Sequence, residues 1–349
     1  MVIEDKLREN AALYPDKVAL VCGEKSLTYR QLYQAIKDKA DSMGDIRGCL
    51  IPIVAYSTVD FFITSFALHL TGAVAVPLHK DIPAKKLNDY AETLEQGIVP
   101  EEVADILFTT GTTGNAKAVM ISHQTIMANA ENLVLSQGFS HDVTFIINGP
   151  LNHIGSLSKV YPTIYVGGTI HVIDGMKDIK AFFTAIDDAP NKVATFLVPA
   201  AIRILITLWK IAVADKIDFV ETGAAPLAAT DMKLFCELLP HSRLYNTYAS
   251  TETGIISTYD YNDGANLAGC VGHKMKHSSF FITADGYVAC KGKTLMTGYW
   301  NDEEATRNVL KDGVIRTADL GRIDEKGRLR LLGRGDDTIN VGGYKVAPS

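Results

Sequence analysis

A run of hydroxyl, glycine and lysine residues near the end of the first third of the chain could bind a phosphate group. It reads 107-LFTTGTTGNAKAVMISH-123, and its candidate phosphate ligands are Thr109, Thr110, Thr112, Thr113 and Lys117. Glycines leave backbone N–H groups open to an anion, hydroxyls add donors, and a lysine supplies positive charge. The spacing Gly111-x-x-Gly114-x-x-Lys117 differs from the GxxxxGK[ST] pattern of a Walker A loop. The composition favours a nucleotide phosphate loop, and a polar surface turn between two strands is the alternative.

The segments around this loop alternate between buried strands and helices. Apolar runs at 49-CLIPIVAY-56 and 73-AVAVPL-78 flank a helix, which is typical of a βαβ unit in a parallel sheet. The same alternation returns at 169-TIHVID-174, 194-ATFLVP-199 and 217-IDFVETG-223. Thr28 and Gln31 have the spacing of a capping box, which predicts the start of a helix. The pattern predicts an α/β fold with stacked mixed or parallel sheets flanked by helices.

The alternation of strands and helices gives way to a different pattern from about Tyr259 onward. Short strands separated by glycine turns dominate 280-FFITADGYVACKG-292 and 328-RLRLLGR-334. We therefore expect a smaller β-rich subdomain over about residues 259–336.

One apolar run, 61-FFITSFALHLTGAVAVPL-78, is about as long as a membrane span. His69 lies in its middle, Gly72 interrupts it and Pro77 lies near its end. A buried helix, a turn and a buried strand explain the run better than a membrane helix does.

Composition excludes several classes of protein. Hydrophobic residues make up 47% and charged residues 21% of the 349 residues, as expected for a globular protein with a large core. A net charge of −6 argues against a nucleic-acid partner held mainly by electrostatics. Five scattered cysteines without a CxxC pair, and a charged N-terminus without a signal-peptide core, indicate reduced thiols in the cytoplasm.

The loop and five later segments together resemble the adenylate-forming enzymes, which comprise acyl- and aryl-CoA synthetases, peptide-synthetase adenylation domains and firefly luciferase. TTGTTGNAKA resembles the phosphate-loop signature of this family. The other matching segments follow in the order of the family: 150-PLNHIG-155, 223-GAAPL-227, 246-NTYASTETG-254, 298-GYWNDEEAT-306 and 317-TADLGRIDEKGRLRLLGRGDDTINVGGYKVAP-348. Ordered agreement over most of the chain implies the large N-terminal core of these enzymes, with its small β-rich subdomain.

The resemblance implies roles for individual residues around ATP. Gly223, Ala224 and Ala225 form the turn beside adenine, Tyr248 stacks on the ring, and Asn246 meets its amino group. The remaining roles concern the phosphates, Mg²⁺ and the ribose: Thr251 binds phosphate, Glu252 and Thr110 hold Mg²⁺, Asp319 accepts the ribose hydroxyls and Arg334 completes the ribose contact. A carboxylate beside a triphosphate needs such a cation, because like charges otherwise repel.

Three residues are expected in the acyl pocket: His153, Val198 and Ala249. His153 lies where CoA-forming relatives place a histidine that lines the carboxylate pocket. Amino-acid-activating relatives place an aspartate nearby, and this segment has no equivalent acid. The resemblance thus implies a carboxylic acid without an α-amino group.

The sequence departs from the family pattern at several positions. Ala116 and Ala118 replace the usual proline and glycine of the loop, and Ala249 replaces a glycine at the floor of the acyl pocket. The span between 73-AVAVPLHKDIP-83 and the loop is short, which indicates that a strand–helix unit is missing. The methyl group of Ala249 should narrow the pocket slightly.

The resemblance also divides the chain. Residues 1–336 correspond to the N-terminal core, and 337–349 to the hinge and first residues of a C-terminal domain that is otherwise absent. In relatives that domain carries the lysine that bridges carboxylate and α-phosphate, and Lys345 does not match it. A stop within 342-GGYKVAPS-349 favours a truncated core over a natural protein without the lid, and predicts weak activity of this chain alone.

Three functions are consistent with these motifs. The first is an AMP-forming acyl- or aryl-CoA ligase, for instance of the o-succinylbenzoate type, which uses ATP, Mg²⁺, CoA and a small carboxylic acid. The second is a stand-alone adenylating enzyme that loads the phosphopantetheine of an acyl carrier protein. The third is a non-catalytic module that binds a nucleotide or an acyl-adenylate.

Overall fold

A computed structural model of the protein shows several β-sheets with helices packed between and outside them. The described residues are 1–94, 99–109, 116–208, 215–263, 267, 269–335, 339–341 and 344–346. The helices in these ranges are α1 (Ile3–Leu13), α2 (Tyr29–Met43), α3 (Val59–Thr71), α4 (Ala84–Leu94), α5 (His123–Gln137), α6 (Ile154–Val166), α7 (Ile179–Asp188), α8 (Pro199–Leu208), α9 (Ala229–Leu238) and α10 (Glu303–Val309).

The predicted capping box at the start of α2 is confirmed. The hydroxyl of Thr28 accepts a hydrogen bond from the backbone N–H of Gln31 at 3.3 Å. In return, the Gln31 side chain accepts the backbone N–H of Thr28 at 2.9 Å. Two N–H groups that lack helical partners are thereby satisfied.

The largest sheet has eight strands in the order β12-β11-β10-β9-β7-β8-β1-β2. Its strands are β1 (Val18–Cys22), β2 (Lys25–Thr28), β7 (Thr144–Ile147), β8 (Thr169–Val172), β9 (Val193–Phe196), β10 (Ile217–Thr222), β11 (Arg243–Ser250) and β12 (Gly254–Asp260). The inner pairs are parallel, and the outer pairs β11–β12 and β1–β2 are antiparallel. The carboxyl ends of β7, β9, β10 and β11 therefore lie at one edge of this sheet.

A second sheet of five strands runs in the order β16-β6-β5-β4-β3. Its strands are β3 (Leu50–Val54), β4 (Val74–Leu78), β5 (Val103–Phe108), β6 (Ala118–Ser122) and β16 (Gly298–Tyr299). The pair β3–β4 is parallel and is joined by α3, which confirms the βαβ unit predicted for this part of the chain. β16 is contributed by a distant part of the sequence and pairs with the strand that follows the phosphate loop.

The third sheet is antiparallel and has the order β13-β19-β18-β15-β14, with β17 paired to β18. Its strands are β13 (Cys270–Gly272), β14 (Ser278–Ile282), β15 (Tyr287–Gly292), β17 (Leu310–Lys311), β18 (Val314–Ile323) and β19 (Leu329–Arg334). A two-stranded hairpin of β20 (Ile339–Val341) and β21 (Tyr344–Val346) follows.

The apolar run at 61–78 is confirmed as a helix, a turn and a strand. α3 ends at Gly72, which adopts a left-handed conformation with φ of 74° that favours glycine, and β4 follows with every residue buried. No helix in the described ranges is long and apolar enough to cross a membrane.

The main core lies between the eight-stranded and the five-stranded sheet. One buried apolar cluster combines residues of both sheets with residues of α1, α2, α3, α5 and α6. A second cluster packs α7, α8 and α9 on the other face of the eight-stranded sheet. The five-stranded sheet is covered on its outer face by α4.

This core contains a group of ionisable side chains, which we call the histidine cluster: Glu4, His69, Asp105, His123 and Tyr161. His69 is held on both sides, with Nδ1 2.7 Å from Glu4 Oε1 and Nε2 3.1 Å from Asp105 Oδ1. Tyr161 donates its hydroxyl to Asp105 Oδ2 at 2.8 Å. The side chains of His69, Glu4 and Asp105 are only 1–3% exposed.

The charges within the histidine cluster decide its protonation. Burial by itself lowers the pKa of His69, but the charges of Asp105 and Glu4 outweigh it and raise the pKa to about 10. Burial, and next the positive charge of His69, lower the pKa of His123. His69 is therefore a cation between two carboxylates in the neutral range, and His123 is neutral.

Candidate functional site

The predicted phosphate loop lies between β5 and β6. The backbone N–H of Thr109 donates to the carbonyl of Lys117 at 2.9 Å, which draws the two ends of the loop together. Both residues are half-buried. Thr110, Thr112 and Thr113, with residues 111, 114 and 115, lie outside the described residues.

Lys117 lies beside a tyrosine that the sequence did not single out. Its ammonium is 4.7 Å from the ring centroid of Tyr299, a distance that permits a cation–π interaction. Tyr299 reaches this position because β16 pairs with β6, with Tyr299 opposite Val119. The sequence identifies residues 298–306 only as a family motif and assigns no role to Tyr299.

Tyr299 also joins this lysine to the predicted magnesium ligand. Its hydroxyl donates to Glu252 Oε1 at 3.2 Å, and the carbonyl of Glu252 accepts the backbone N–H of Met296 at 2.8 Å. Burial, and next the negative charge of Glu252, raise the pKa of Tyr299. Tyr299 stays protonated in the neutral range and remains a donor to the carboxylate.

Glu252 and Thr251 occupy the tight turn between β11 and β12. The turn is held by Ser250 and Thr253, whose side chains exchange hydrogen bonds with each other and with the backbone at 3.0–3.1 Å. It closes at Gly254, where φ is +61° and a Cβ would lie 2.4 Å from the carbonyl oxygen of Thr294. This packing fixes the backbone that presents two half-buried side chains, those of Thr251 and Glu252.

The predicted ribose ligand Asp319 is held from two sides. Tyr248 donates its hydroxyl to Asp319 Oδ2 at 2.7 Å and to Thr317 Oγ1 at 3.2 Å. Arg334, opposite Asp319 on the neighbouring strand, donates to Oδ1 at 3.4 Å. The side chains of Asp319 and Arg334 are 21% and 19% exposed, so a ligand could still reach this carboxylate.

The pKa of Tyr248 follows from this contact. Burial, and next the negative charge of Asp319, raise the pKa of the Tyr248 phenol well above its ordinary value. The hydroxyl therefore acts as a donor that fixes the orientation of the Asp319 carboxylate. Together these residues form what we call the edge cluster: Lys117, Tyr248, Glu252, Tyr299, Asp319 and Arg334.

Asn246 is buried below Tyr248 on the same strand. Its Nδ2 donates to the hydroxyl of Tyr261 at 2.8 Å and to the carbonyl of Cys270 at 3.0 Å. An adenine amino group is a donor, so it would have to meet the Oδ1 atom of Asn246. The orientation of the amide fits the role that the resemblance implies.

The turn after β10 brings Gly223, Ala224 and Ala225 to the same edge of the sheet. A Cβ at Gly223 would lie 2.8 Å from the carbonyl oxygen of Thr247, so β11 packs too close for any larger residue. Ala224 has φ of 64°, a left-handed conformation that is uncommon outside glycine. The backbone here is bent sharply away from the strand, next to Asn246 and Tyr248.

The three residues predicted for the acyl pocket follow different strands of the eight-stranded sheet. His153 precedes α6 after β7, Val198 precedes α8 after β9, and Ala249 lies near the end of β11. Ligand sites of parallel sheets typically form at the carboxyl ends of strands, and these residues lie near or beyond such ends. Burial, and next the charge of His79, lower the pKa of His153, which keeps the half-buried imidazole neutral at neutral pH.

One protein-family model matches most of this chain. The sequence profile described as "AMP-binding enzyme" matches residues 7–99 and 88–300. The chain belongs to the AMP-binding enzyme family. The predicted membership of the adenylate-forming superfamily is thereby confirmed.

Curated relatives within the AMP-binding family include CoA ligases. The indoleacetate–CoA ligase of Aromatoleum aromaticum is 26% identical over an alignment of 422 residues, gaps included. The alignment covers 100% of this chain and 81% of the relative. A 2-succinylbenzoate–CoA ligase of Bacillus cereus is 25% identical, with 98% of this chain and 80% of the relative covered.

Solved structures share the fold of this AMP-binding chain at low sequence identity. The Bacillus subtilis o-succinylbenzoate CoA synthetase in complex with ATP and magnesium ion matches with a TM-score of 0.83 and 21% identity, over 98% of this chain and 82% of that one. The N-terminal domain of FACL13 from Mycobacterium tuberculosis also gives a TM-score of 0.83 at 21% identity, over 95% of this chain and 99% of that one. The predicted fold class, the N-terminal core of adenylate-forming enzymes, is confirmed.

Proposed function

We propose that the protein is an AMP-forming acid–thiol ligase that activates an aromatic carboxylic acid and transfers it to CoA. The carboxylate attacks the α-phosphate of ATP, giving acyl-AMP and pyrophosphate, and the CoA thiol then displaces AMP. Support comes from the family, from two relatives named as ligases of indoleacetate and 2-succinylbenzoate, and from the edge cluster. The observation that carries the proposal is the carboxylate of Asp319, held by Tyr248 and Arg334 yet one-fifth exposed.

In this proposal the edge cluster binds the nucleotide. Asp319 accepts the ribose hydroxyls, because a fixed carboxylate can take two such donors at once. Lys117 and Thr109 would contact the departing phosphates, with Thr110, Thr112, Thr113 and Thr251 as further hydroxyl donors. No side chain need form a covalent intermediate, so positioning and electrostatics supply the catalysis.

The residues present also fit a magnesium ion. Glu252 offers a half-buried carboxylate whose orientation is fixed by Tyr299, and carboxylate and hydroxyl oxygens are the protein ligands that Mg²⁺ prefers. Glu252, with Thr110 as the second predicted ligand, would hold it there. When bound, Mg²⁺ would offset the negative charge of the phosphates. Tyr299 would restrain the Glu252 carboxylate through its hydrogen bond to Oε1.

Further predicted residues would complete the site that we propose. His153, Val198 and Ala249 would line the acyl pocket, and Asn246, Gly223, Ala224 and Ala225 would surround adenine. Residues 1–336 would form the core, with the β-rich subdomain at about 259–336 and the hinge from 337. All five cysteines are free, which is consistent with a cytoplasmic protein. A carrier-protein phosphopantetheine is the alternative acceptor for the acyl group.

A thermal-shift series tests the proposal on this chain. We expect stabilisation by Mg-ATP and a larger shift with aryl-sulfamoyl adenosines than with aminoacyl analogues. A ligand at about a hundred times its dissociation constant adds roughly 2.7 kcal/mol to the free energy of unfolding. An Asp319→Ala variant should show smaller shifts with both kinds of ligand.

A turnover assay then separates the possible acceptors. Pyrophosphate release and thioester formation are measured with each aryl acid, once with CoA and once with a phosphopantetheine-bearing carrier protein. Thioester formed with CoA supports the ligase, and transfer to the carrier alone supports the adenylating alternative. If no nucleotide or adenosine conjugate stabilises the chain, the proposal is wrong.

A further inference from the structure

A buried lysine–glutamate pair lies on the face of the eight-stranded sheet that packs against α6, the helix that follows His153 of the predicted acyl pocket. Successive side chains of a strand alternate between faces, so Phe219 and Glu221 point to the same face of β10, which ends one residue before Gly223. Phe219 packs against the rings of Phe145 and Tyr245 in the core. Glu221 therefore lies between the apolar core around Phe219 and the turn that begins at Gly223.

The partner of Glu221 comes from α6, the helix that begins directly after His153. Lys159 Nζ lies 2.6 Å from Glu221 Oε1, and the two side chains are 2% and 1% exposed. The same ammonium is 5.7 Å from the ring centroid of Phe196, whose edge would lie 3.6 Å from a Cβ at Gly223. The ion pair and the turn thus both lie beside the ring of Phe196, at the ends of β9 and β10.

This pair is incompletely satisfied within the part of the chain that the structure describes. Glu221 Oε2 is buried and has no hydrogen-bond partner there. Lys159 Nζ donates one hydrogen bond to a side chain, that to Glu221, although an ammonium has three N–H groups. A buried carboxylate oxygen without a donor is costly, so a ligand that supplies one gains affinity.

The charges identify the kind of group that fits. The ion pair is neutral overall, so a second ionised group on the ligand would leave a net charge in a buried site. A hydroxyl group is neutral, can donate to Glu221 Oε2 and can accept from Lys159 Nζ. An apolar substituent would leave both unsatisfied.

We propose that Lys159 and Glu221 recognise a hydroxyl group on the acid, remote from its reacting carboxylate. The inference rests on the proposed function, since it assigns a substrate class to that site. The preferred acids would be hydroxyaryl acids rather than the unsubstituted ones.

Matched pairs of sulfamoyl adenosines test this inference in calorimetric titrations of the unaltered chain. One pair carries 4-hydroxybenzoyl and benzoyl groups, and a longer pair carries 3-(4-hydroxyphenyl)propanoyl and 3-phenylpropanoyl groups. We expect at least one hydroxyl conjugate to bind about tenfold or more tightly than its partner without the hydroxyl. Equal affinity within both pairs would overturn the inference, and would indicate that ordered water satisfies Glu221.

A double variant, Lys159→Met with Glu221→Leu, checks that the preference comes from this pair. Replacing both partners by apolar residues avoids an isolated buried charge. The variant should lose the hydroxyl preference and keep its affinity for AMP, which also reports on folding. Retention of the preference would overturn the inference. If even AMP fails to bind the unaltered chain, the proposed function fails, whereas AMP binding without a hydroxyl preference rejects the further inference alone.

Discussion

The edge cluster and the histidine cluster use the same kinds of side chain under different degrees of exposure. In the edge cluster, the Asp319 carboxylate is 21% exposed and its contact with Arg334 is 3.4 Å long. In the histidine cluster, His69 and its two carboxylate partners are 1–3% exposed and bonded at 2.7 and 3.1 Å. The Asp319 carboxylate, one-fifth exposed, can exchange a protein donor for a ligand donor, whereas Asp105 is buried with His69 on one oxygen and Tyr161 on the other. Exposure therefore separates these two clusters.

Position in the fold explains this difference. The edge cluster joins three sheets, through β11, through β16 and through the pair β18–β19. The histidine cluster links α1, α3, α5, α6 and β5 inside the core. The first arrangement brings side chains of separate sheets together, and the second fixes helices between two sheets.

The largest expected effect is on stability, from His69→Leu. Removing the cation leaves Glu4 and Asp105 buried without their partner, which should cost about 3–5 kcal/mol of the free energy of unfolding. Urea denaturation measures the loss, and His241→Leu, at an exposed histidine, is the control. AMP affinity of the folded variant should stay unchanged. A clear fall in the AMP affinity of the folded variant would contradict the separation of the two clusters.

A smaller effect should appear with pH. The pKa of His69 is raised from 6.5 to about 10, so its contribution is complete below about pH 6.5 and is lost as the pH rises toward 10. Over that window one group can change the free energy of unfolding by at most about 1.4 kcal/mol per pH unit. Denaturation at pH 6, 8 and 9.5 measures the slope, and His69→Leu should flatten it. An equal slope in the variant would assign the effect to other groups.

The variant Asp319→Ala tests the edge cluster, where we expect a loss of AMP affinity with little loss of stability. AMP affinity should fall about ten- to a hundredfold, since hydrogen bonds to a charged group contribute roughly 1.5–3 kcal/mol. The free energy of unfolding should change by less than about 1 kcal/mol, because the partly exposed ion pair with Arg334 contributes little and the Tyr248 hydroxyl still has Thr317 Oγ1 as an acceptor. Glu325→Ala, at an exposed acid in the turn before β19, is the control for calorimetric titration. A stability loss as large as that of His69→Leu would remove the distinction.

The smallest predicted effect belongs to Tyr299→Phe. The variant keeps the ring beside Lys117 but removes the hydrogen bond to Glu252, which is worth about 0.5–1.5 kcal/mol. Mg-ATP affinity at limiting Mg²⁺ should fall by a few fold, and AMP affinity without Mg²⁺ should not change. Equal reductions for both nucleotides would show that Tyr299 acts on the fold of the turn rather than on the magnesium position.

Much of the fold was predictable, because short-range patterns carry it. The capping box at Thr28 and Gln31, and the helix, turn and strand at 61–78, depend on neighbouring residues and were found as predicted. Family motifs named Asp319, Arg334 and Tyr248, which the structure brings together from two sheets. The roles assigned to them stay predictions until nucleotide binding is measured.

The residues that the sequence did not reveal have partners far away along the chain. Tyr299 reaches Glu252 across 47 positions, His69 reaches Glu4 across 65, and Lys159 reaches Glu221 across 62. No local pattern marks such a pair, since a lysine or glutamate in isolation indicates an exposed surface.

The sequence alone determined the family, the alternation of strands and helices and the set of candidate ligands, because these depend on residue types at fixed spacing. Tertiary structure alone decided which charged side chains are exposed and which are buried. That distinction sets the cost of an unpaired charge, and thus whether a carboxylate such as Asp319 is available to a ligand or, like Asp105, is committed to the core.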